Sequence, residues 1–281
     1  MFGRQQPERS TSRAPARGTP AARATRIPSA LVTCSAAVLL CLPLGGCAVG
    51  LRGGHGAAGG AATGGATAGG AASGEVASPA ASDGWRSLVA GNSLAGWRGY
   101  RSPDVPAAWT VSDGMLTKTV GTRDLITRDE FSNFELEWDW KVATGGNAGV
   151  FYRATEEYDH PYWSGTEYQL LDDPNAPDGR SRLTAAGAVY GLYPAPEGVV
   201  KAAGEWNTSR IVARGAHIEH WLNGRKLAEY EAGSPEWEAK VRASKFARWP
   251  NYGRAKRGHI AIQGDHQGAL AIRNMRVREL P

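Results

Sequence analysis

Glu167 and Asp172 stand close together in the chain, and two carboxyls that share general acid–base work, as in hydrolysis of a glycosidic bond, must lie about 5–10 Å apart on one face. They lie five positions apart in Thr166-Glu-Tyr-Gln-Leu-Leu-Asp172, a stretch that reads as a strand. Odd spacing sends them to opposite faces, roughly 16 Å apart. They are therefore not a glycosidase pair. Glu167 and Gln169 do share a face, roughly 7 Å apart, and Asn147, Gly149, Phe151 and Arg153 share one parity in the preceding segment. Side by side, the two segments would form a polar surface of sugar size. His266 adds an imidazole whose ordinary pKa lies close to neutral, as a general base requires. Plainer roles stand beside these. Arg153 could simply pair with Glu167, Asp172 could serve the turn before Asp173-Pro174, and His220, between Ile218 and Leu222, fits a buried strand histidine.

Composition narrows the chemistry. All three cysteines, Cys34, Cys41 and Cys47, fall before residue 84, and all ten tryptophans after it. The later part thus has no disulfide, thiolate nucleophile or cysteine-bound zinc, and has aromatic faces for a core or for sugar rings. Residues 1–83 carry seven arginines against Glu8, Glu75 and Asp83, whereas the remainder is balanced at 25 basic and 24 acidic side chains. A basic excess confined to a leader points to targeting and away from a nucleic-acid surface.

The elements that must position these residues are short and alternating. Phe134-Glu-Leu-Glu-Trp-Asp-Trp-Lys-Val142 turns Phe134, Leu136, Trp138, Trp140 and Val142 inward and its charged residues outward, the period of a half-buried antiparallel strand. Segments 149–153, 166–171, 209–213, 217–222, 226–230, 259–263 and 269–273 continue the series, and Asn223-Gly224 is a hairpin signal between two of them. One short helix is expected at about 235–246. Many short strands with frequent turns predict an all-β sandwich or barrel over residues 84–281.

The first 83 residues read differently. An Arg-rich start, an apolar run over residues 30–42 and Leu44-Gly-Gly-Cys47 resemble a lipoprotein signal peptide spanning 1–46, with Cys47 the residue to be lipidated. Residues 48–83 hold eleven glycines and twelve alanines and read, with Cys47, as a flexible linker over 47–83. The expectation is an exported domain, lipid-anchored to the cell envelope on its periplasmic or outer face, with the membrane as a partner.

Trp85-Arg-Ser-Leu with Asn92-Ser-Leu-Ala-Gly-Trp97, Gly145-Gly-Asn-Ala-Gly-Val-Phe-Tyr-Arg153, Glu167-Tyr-Gln-Leu-Leu-Asp172, Gly204-Glu-Trp-Asn207, His220-Trp-Leu-Asn-Gly224, Ser244-Lys-Phe246 and Arg273-Asn-Met275 resemble, in order, the motifs of the 3-keto-disaccharide hydrolases, also called 3-keto-glucoside lyases or hydratases. The resemblance implies a concanavalin A-like jelly-roll β-sandwich and action on glycosides oxidised at C3. A C3 ketone acidifies the C2 hydrogen, so a base can remove it, the C1 substituent leaves, and water adds at C1. On that chemistry His266, Glu167 and Arg153 are the candidate catalytic residues. Asn147, Gln169, Gln263, Lys245 and Tyr152 are the candidate sugar-binding ones. A divalent metal on oxygen ligands such as Glu167 and Asp172 is an alternative stabiliser of the enolate. Where the family shows Gln-x-His, this chain has Gln263-Gly-Asp-His266, one residue longer, which leaves His160 and Glu167 as other possible bases. The competing reading is a carbohydrate-binding domain without catalysis, in which the cleft would hold only aromatics and amides.

Overall fold

The structure, a computed structural model, describes residues 84–281. Alternating apolar residues make one side of each strand bury against a second sheet, and the chain forms two antiparallel sheets face to face, a jelly-roll sandwich. The larger sheet contains β1 (Arg86–Ser87), β3 (Thr110–Ser112), β4 (Met115–Lys118), β6 (Phe134–Val142), β9 (Asn207–Arg214), β10 (His217–Leu222), β11 (Arg225–Glu231) and β13 (Leu270–Glu279). Its order is β11-β10-β9-β6-β13-β4-β3, with β1 also paired to β13. The smaller sheet contains β2 (Trp97–Gly99), β5 (Leu125–Phe131), β7 (Asn147–Ala154), β8 (Thr166–Leu171) and β12 (Gly258–Ile262), in the order β2-β5-β12-β7-β8.

The inner faces meet in one apolar core. Trp138 of β6 packs edge-on against Tyr168 of β8, ring centres 5.0 Å apart, and Trp140 donates to the Ser209 hydroxyl at 2.8 Å. Asn223 and Gly224 both have positive φ between β10 and β11, the turn that suits the right-handed twist of a hairpin. Helix α1 (Pro235–Ala243) starts where the Ser234 side chain accepts the Trp237 N–H and Pro235 takes the first turn. It buries Trp237 and Val241.

The outer face of the smaller sheet is also largely covered. Every residue of β8 is buried, because residues 187–190 of the long connection from β8 to β9 run along its edge. The Gly187 N–H donates to the Gln169 carbonyl at 2.8 Å and the Tyr190 N–H to the Glu167 carbonyl at 3.1 Å. This segment turns a plain sheet face into the wall of a pocket.

Candidate active site

On the outer face of the smaller sheet, Asn147 of β7, Glu167 of β8 and Gln263, just past β12, line a pocket of about 220 Å³. Register puts them together: β7 and β8 pair with Gly149 opposite Gln169 and Phe151 opposite Glu167, and the Gln263 N–H donates to the Gly149 carbonyl at 2.9 Å. Gly149 is needed for Glu167, because a Cβ there would overlap the Glu167 carboxyl. His266 and Asp265 reach the pocket from the loop after β12, and Lys245 from the short 3-10 turn Lys245–Arg248 that follows α1. Tyr162, Asp178 and Tyr190 complete the lining.

The electrostatics favour a neutral Glu167 carboxyl beside the Lys245 ammonium. Glu167 is 6% exposed, and desolvation, reinforced by Asp178, Asp265 and Asp124 and opposed by Lys245, pushes its pKa up to about 8. The Lys245 ammonium lies over the Tyr190 ring, 4.3 Å from its centre. Asp178 accepts from the Asn147 amide at 3.2 Å and from the Tyr190 hydroxyl at 3.3 Å, so both donors are pinned along one wall. The Gln263 amide oxygen is buried with no protein partner. An orphaned acceptor costs about 1–3 kcal/mol unless something donates to it, and a sugar hydroxyl would.

The loop carrying His266 is held from beneath. The buried Lys118 ammonium donates to the His266 carbonyl at 2.7 Å, and the Gly264 N–H donates to the Asp124 carboxyl at 2.7 Å. The one-residue extension leaves the imidazole in the pocket lining, with Asp265 beside it.

Four expected site residues, Arg153, Tyr152, Asp172 and Gln169, lie outside the pocket lining. Arg153 has a φ of 52° where β7 gains one residue against β12: His259 pairs with Ala154, but Ala261 pairs with Phe151. This bulge breaks the parity that sequence spacing assumes. The Arg153 guanidinium instead donates to the carbonyls of Ser132, at 2.6 and 2.9 Å, and of Gly215, at 2.8 Å. It ties the turn before β6 to the β9–β10 hairpin and does not touch the pocket. Tyr152 points between the sheets, its hydroxyl 3.0 Å from His220 Nε2 and 2.7 Å from the Tyr230 hydroxyl. Asp172 accepts from the Gly145 N–H at 2.7 Å and the Asn175 amide at 2.9 Å, which makes it a turn residue. Gln169 shares Glu167's face but is fully buried, its amide donating to the Thr184 carbonyl at 3.1 Å. It supports the wall from outside the lining. His220 is a core histidine, with burial pushing its pKa down to about 3.

Glu167 and Asp172 therefore do not share one metal. Among the described residues, the group of His and acidic side chains with three donors close enough for an ion is His217, Glu219 and Glu229. It sits on β10 and β11, and Lys226 already neutralises it with contacts of 2.7 Å to Glu219 and 2.9 Å to Glu229.

Sequence spacing did not point to Tyr162, Asp178, Tyr190 or Asp265. Asp178 and Tyr190 belong to the connection of more than 30 residues between β8 and β9, whose length was the available signal, since compact domains rarely keep such loops without a use.

Fold and pocket together define a jelly-roll sandwich with ionisable groups gathered on its smaller sheet. Residues 84–278 match the 3-keto-alpha-glucoside-1,2-lyase-like domain family, and the chain belongs to that family. It is 34% identical over 235 residues to a Bacteroides thetaiotaomicron protein named 3-keto-disaccharide hydrolase, a match covering 72% of this chain and 80% of that one. A solved structure of a candidate glycosyl hydrolase from Parabacteroides distasonis is 31% identical, with a TM-score of 0.66 over 70% of this chain and 94% of its own. A second from the same organism is 30% identical, with a TM-score of 0.55 over 70% and 99%.

Proposed function

We propose that the chain cleaves glycosides already oxidised at C3, by removal of the C2 proton, expulsion of the C1 substituent and addition of water at C1. The observation that carries this reading is the convergence of an imidazole, a carboxyl held neutral and an ammonium in one small pocket: His266, Glu167 and Lys245. Enolate formation calls for a base, a proton donor and a positive charge, and these three groups offer one of each. His266 takes the C2 proton. The electron pair moves onto the C3 oxygen, where the Lys245 charge and the Glu167 hydroxyl, protonated below about pH 8, stabilise it. A neutral carboxylic acid kept protonated to donate to a developing enolate is an established way to lower such a barrier. Lys245 takes the place that sequence spacing gave to Arg153. Asn147 and the orphaned Gln263 amide fix the ring hydroxyls. The family match and the name of the Bacteroides relative support the same substrate class.

The test is incubation with a 3-keto-glucoside bearing a chromophore, alongside the unoxidised glucoside, in heavy water. The 3-keto compound alone should be cleaved, with solvent deuterium at C2 of the product, and His266→Ala should abolish the exchange. Cleavage without label exchange at C2 would rule out elimination, and binding without turnover would leave a carbohydrate-binding domain. The envelope anchor is a second part of the proposal: Cys47 lies outside the described residues, and the lipobox-like Leu44-Gly-Gly-Cys47 supports a lipid tether there.

A further inference from the structure

The bulge that takes Arg153 out of the Glu167 pocket delivers it to another. Its φ of 52° lies in the left-handed region that favours glycine, and the residue lines a separate cavity of about 470 Å³, within the roughly 300–1,000 Å³ of small-molecule sites. This cavity shares no lining residue with the Glu167 pocket. It lies where the β5–β6 turn, the β9–β10 turn, the chain after β11 and the approach to β12 meet. Six of its lining residues are glycine or alanine, three are Arg153, Arg254 and Lys256, and none is acidic. Arg254 is already paired with Glu238 at 2.6 Å. Lys256 is exposed and, among the described residues, has no ion pair. Arg153 is 8% exposed, and its hydrogen-bond partners are the carbonyls of Ser132 and Gly215. Those bonds engage three of the five guanidinium N–H groups and leave one on each terminal nitrogen. They supply no countercharge, and among the described residues no carboxylate pairs with Arg153. A buried charge left without its opposite is the costly case.

We infer that this cavity binds a small molecule by a carboxylate held on Arg153, with a short hydrocarbon body against the glycine and alanine walls. Three features fix that class. The two N–H groups left on one planar guanidinium match the two oxygens of a single carboxylate. One unpaired buried cation calls for one negative charge, whereas a phosphate dianion would bring a second that the interior leaves uncompensated. The walls of glycine and alanine carry no polar side-chain groups, so a hydroxylated body would lose water without replacing its hydrogen bonds, and a hydrocarbon body would not. Lys256 adds an exposed positive charge that draws the anion towards the opening. Because Arg153 already joins the turn before β6 to the β9–β10 turn, a bound carboxylate strengthens that end of the sandwich. The inference does not depend on the chemistry at Glu167.

The test is titration calorimetry of the full chain with sodium hexanoate, with its neutral counterpart hexanamide and with inorganic phosphate, and urea unfolding as a second readout. Hexanoate should bind at one site and raise the urea midpoint. Hexanamide should bind at least ~10-fold more weakly, since a hydrogen bond to a charged group is the stronger kind. Arg153→Gln should weaken hexanoate by at least ~10-fold. Lys256→Glu should weaken it by ~3-fold or more at low salt and by less at high salt. If Arg153→Gln does not fold, Ala255→Trp decides, because it fills the cavity, leaves Arg153 in place and should abolish hexanoate binding. Absence of any heat or midpoint shift with hexanoate would overturn the inference, as would equal binding of hexanamide. Phosphate binding more tightly than hexanoate would overturn the carboxylate class. Hexanoate binding that survives Ala255→Trp would place the ligand elsewhere and overturn the site.

Discussion

Replacing Glu167 by Gln should stabilise the protein in alkali while damaging its activity. The side chain is 6% exposed, and burial holds its pKa near 8 against an ordinary value of 4.5. Between those values the unfolded chain has released the proton and the folded chain has kept it, so folding becomes progressively harder as pH rises. The full stability is present below about pH 4.5, and the loss is complete above about pH 8. At 1.36 kcal/mol per unit, the cost at pH 7 is about 3 kcal/mol, and water admitted through the pocket mouth lowers it to about 1–3. The amide introduced by Glu167→Gln would occupy the same volume over Gly149 and would never ionise. Urea titrations at pH 5, 7 and 9 should show the wild type weakening by about 1–3 kcal/mol across the series, with that component absent in Glu167→Gln. Activity on a 3-keto-glycoside should fall ~10–100-fold, since an amide donates more weakly than a carboxylic acid to the enolate oxygen. Stability and activity moving in opposite directions is the mark of a residue placed for chemistry at the expense of the fold. If Glu167→Gln is no more stable than wild type at pH 9, the carboxyl is not desolvated as described and the reasoning about its neutral form fails.

Gly149→Ala should act on the same group from below, because the added methyl overlaps the Glu167 carboxyl; activity should drop ~10-fold or more while the circular dichroism spectrum is unchanged. Arg153→Ala should behave in the opposite way, removing bonds to the Ser132 and Gly215 carbonyls and costing about 2–4 kcal/mol in urea unfolding, with kcat per folded molecule retained; loss of kcat at full stability would return Arg153 to the site. Cys47→Ala should move the protein from the detergent phase to the aqueous phase on Triton X-114 partition, and unchanged partition would remove the proposed anchor.

The strands were legible because their alternation is local. The interval Phe134–Val142 is the observed β6, and Thr166–Leu171 the observed β8, since a two-residue period needs no knowledge of what the far face meets. The same parity places Glu167 and Asn147 on the outer face, and residue type alone suggests a role for His266. By itself, then, the sequence determined the fold class, the strands that carry the pocket and most of its polar lining.

Tertiary structure decided the rest. Arg153 was misplaced because a bulge inserts one residue into β7 against β12. Whether a strand keeps or loses register is set by its partners, and spacing within the strand carries no trace of it. Asp178 and Tyr190 come from a connection without periodicity, in which main-chain bonds from Gly187 and Tyr190 hold the later part against β8. The raised pKa of Glu167 was equally invisible in the letters. A carboxyl shows the same chemistry wherever it is written, and it stays largely protonated at pH 7 only when folding strips its water and sets other carboxylates beside it.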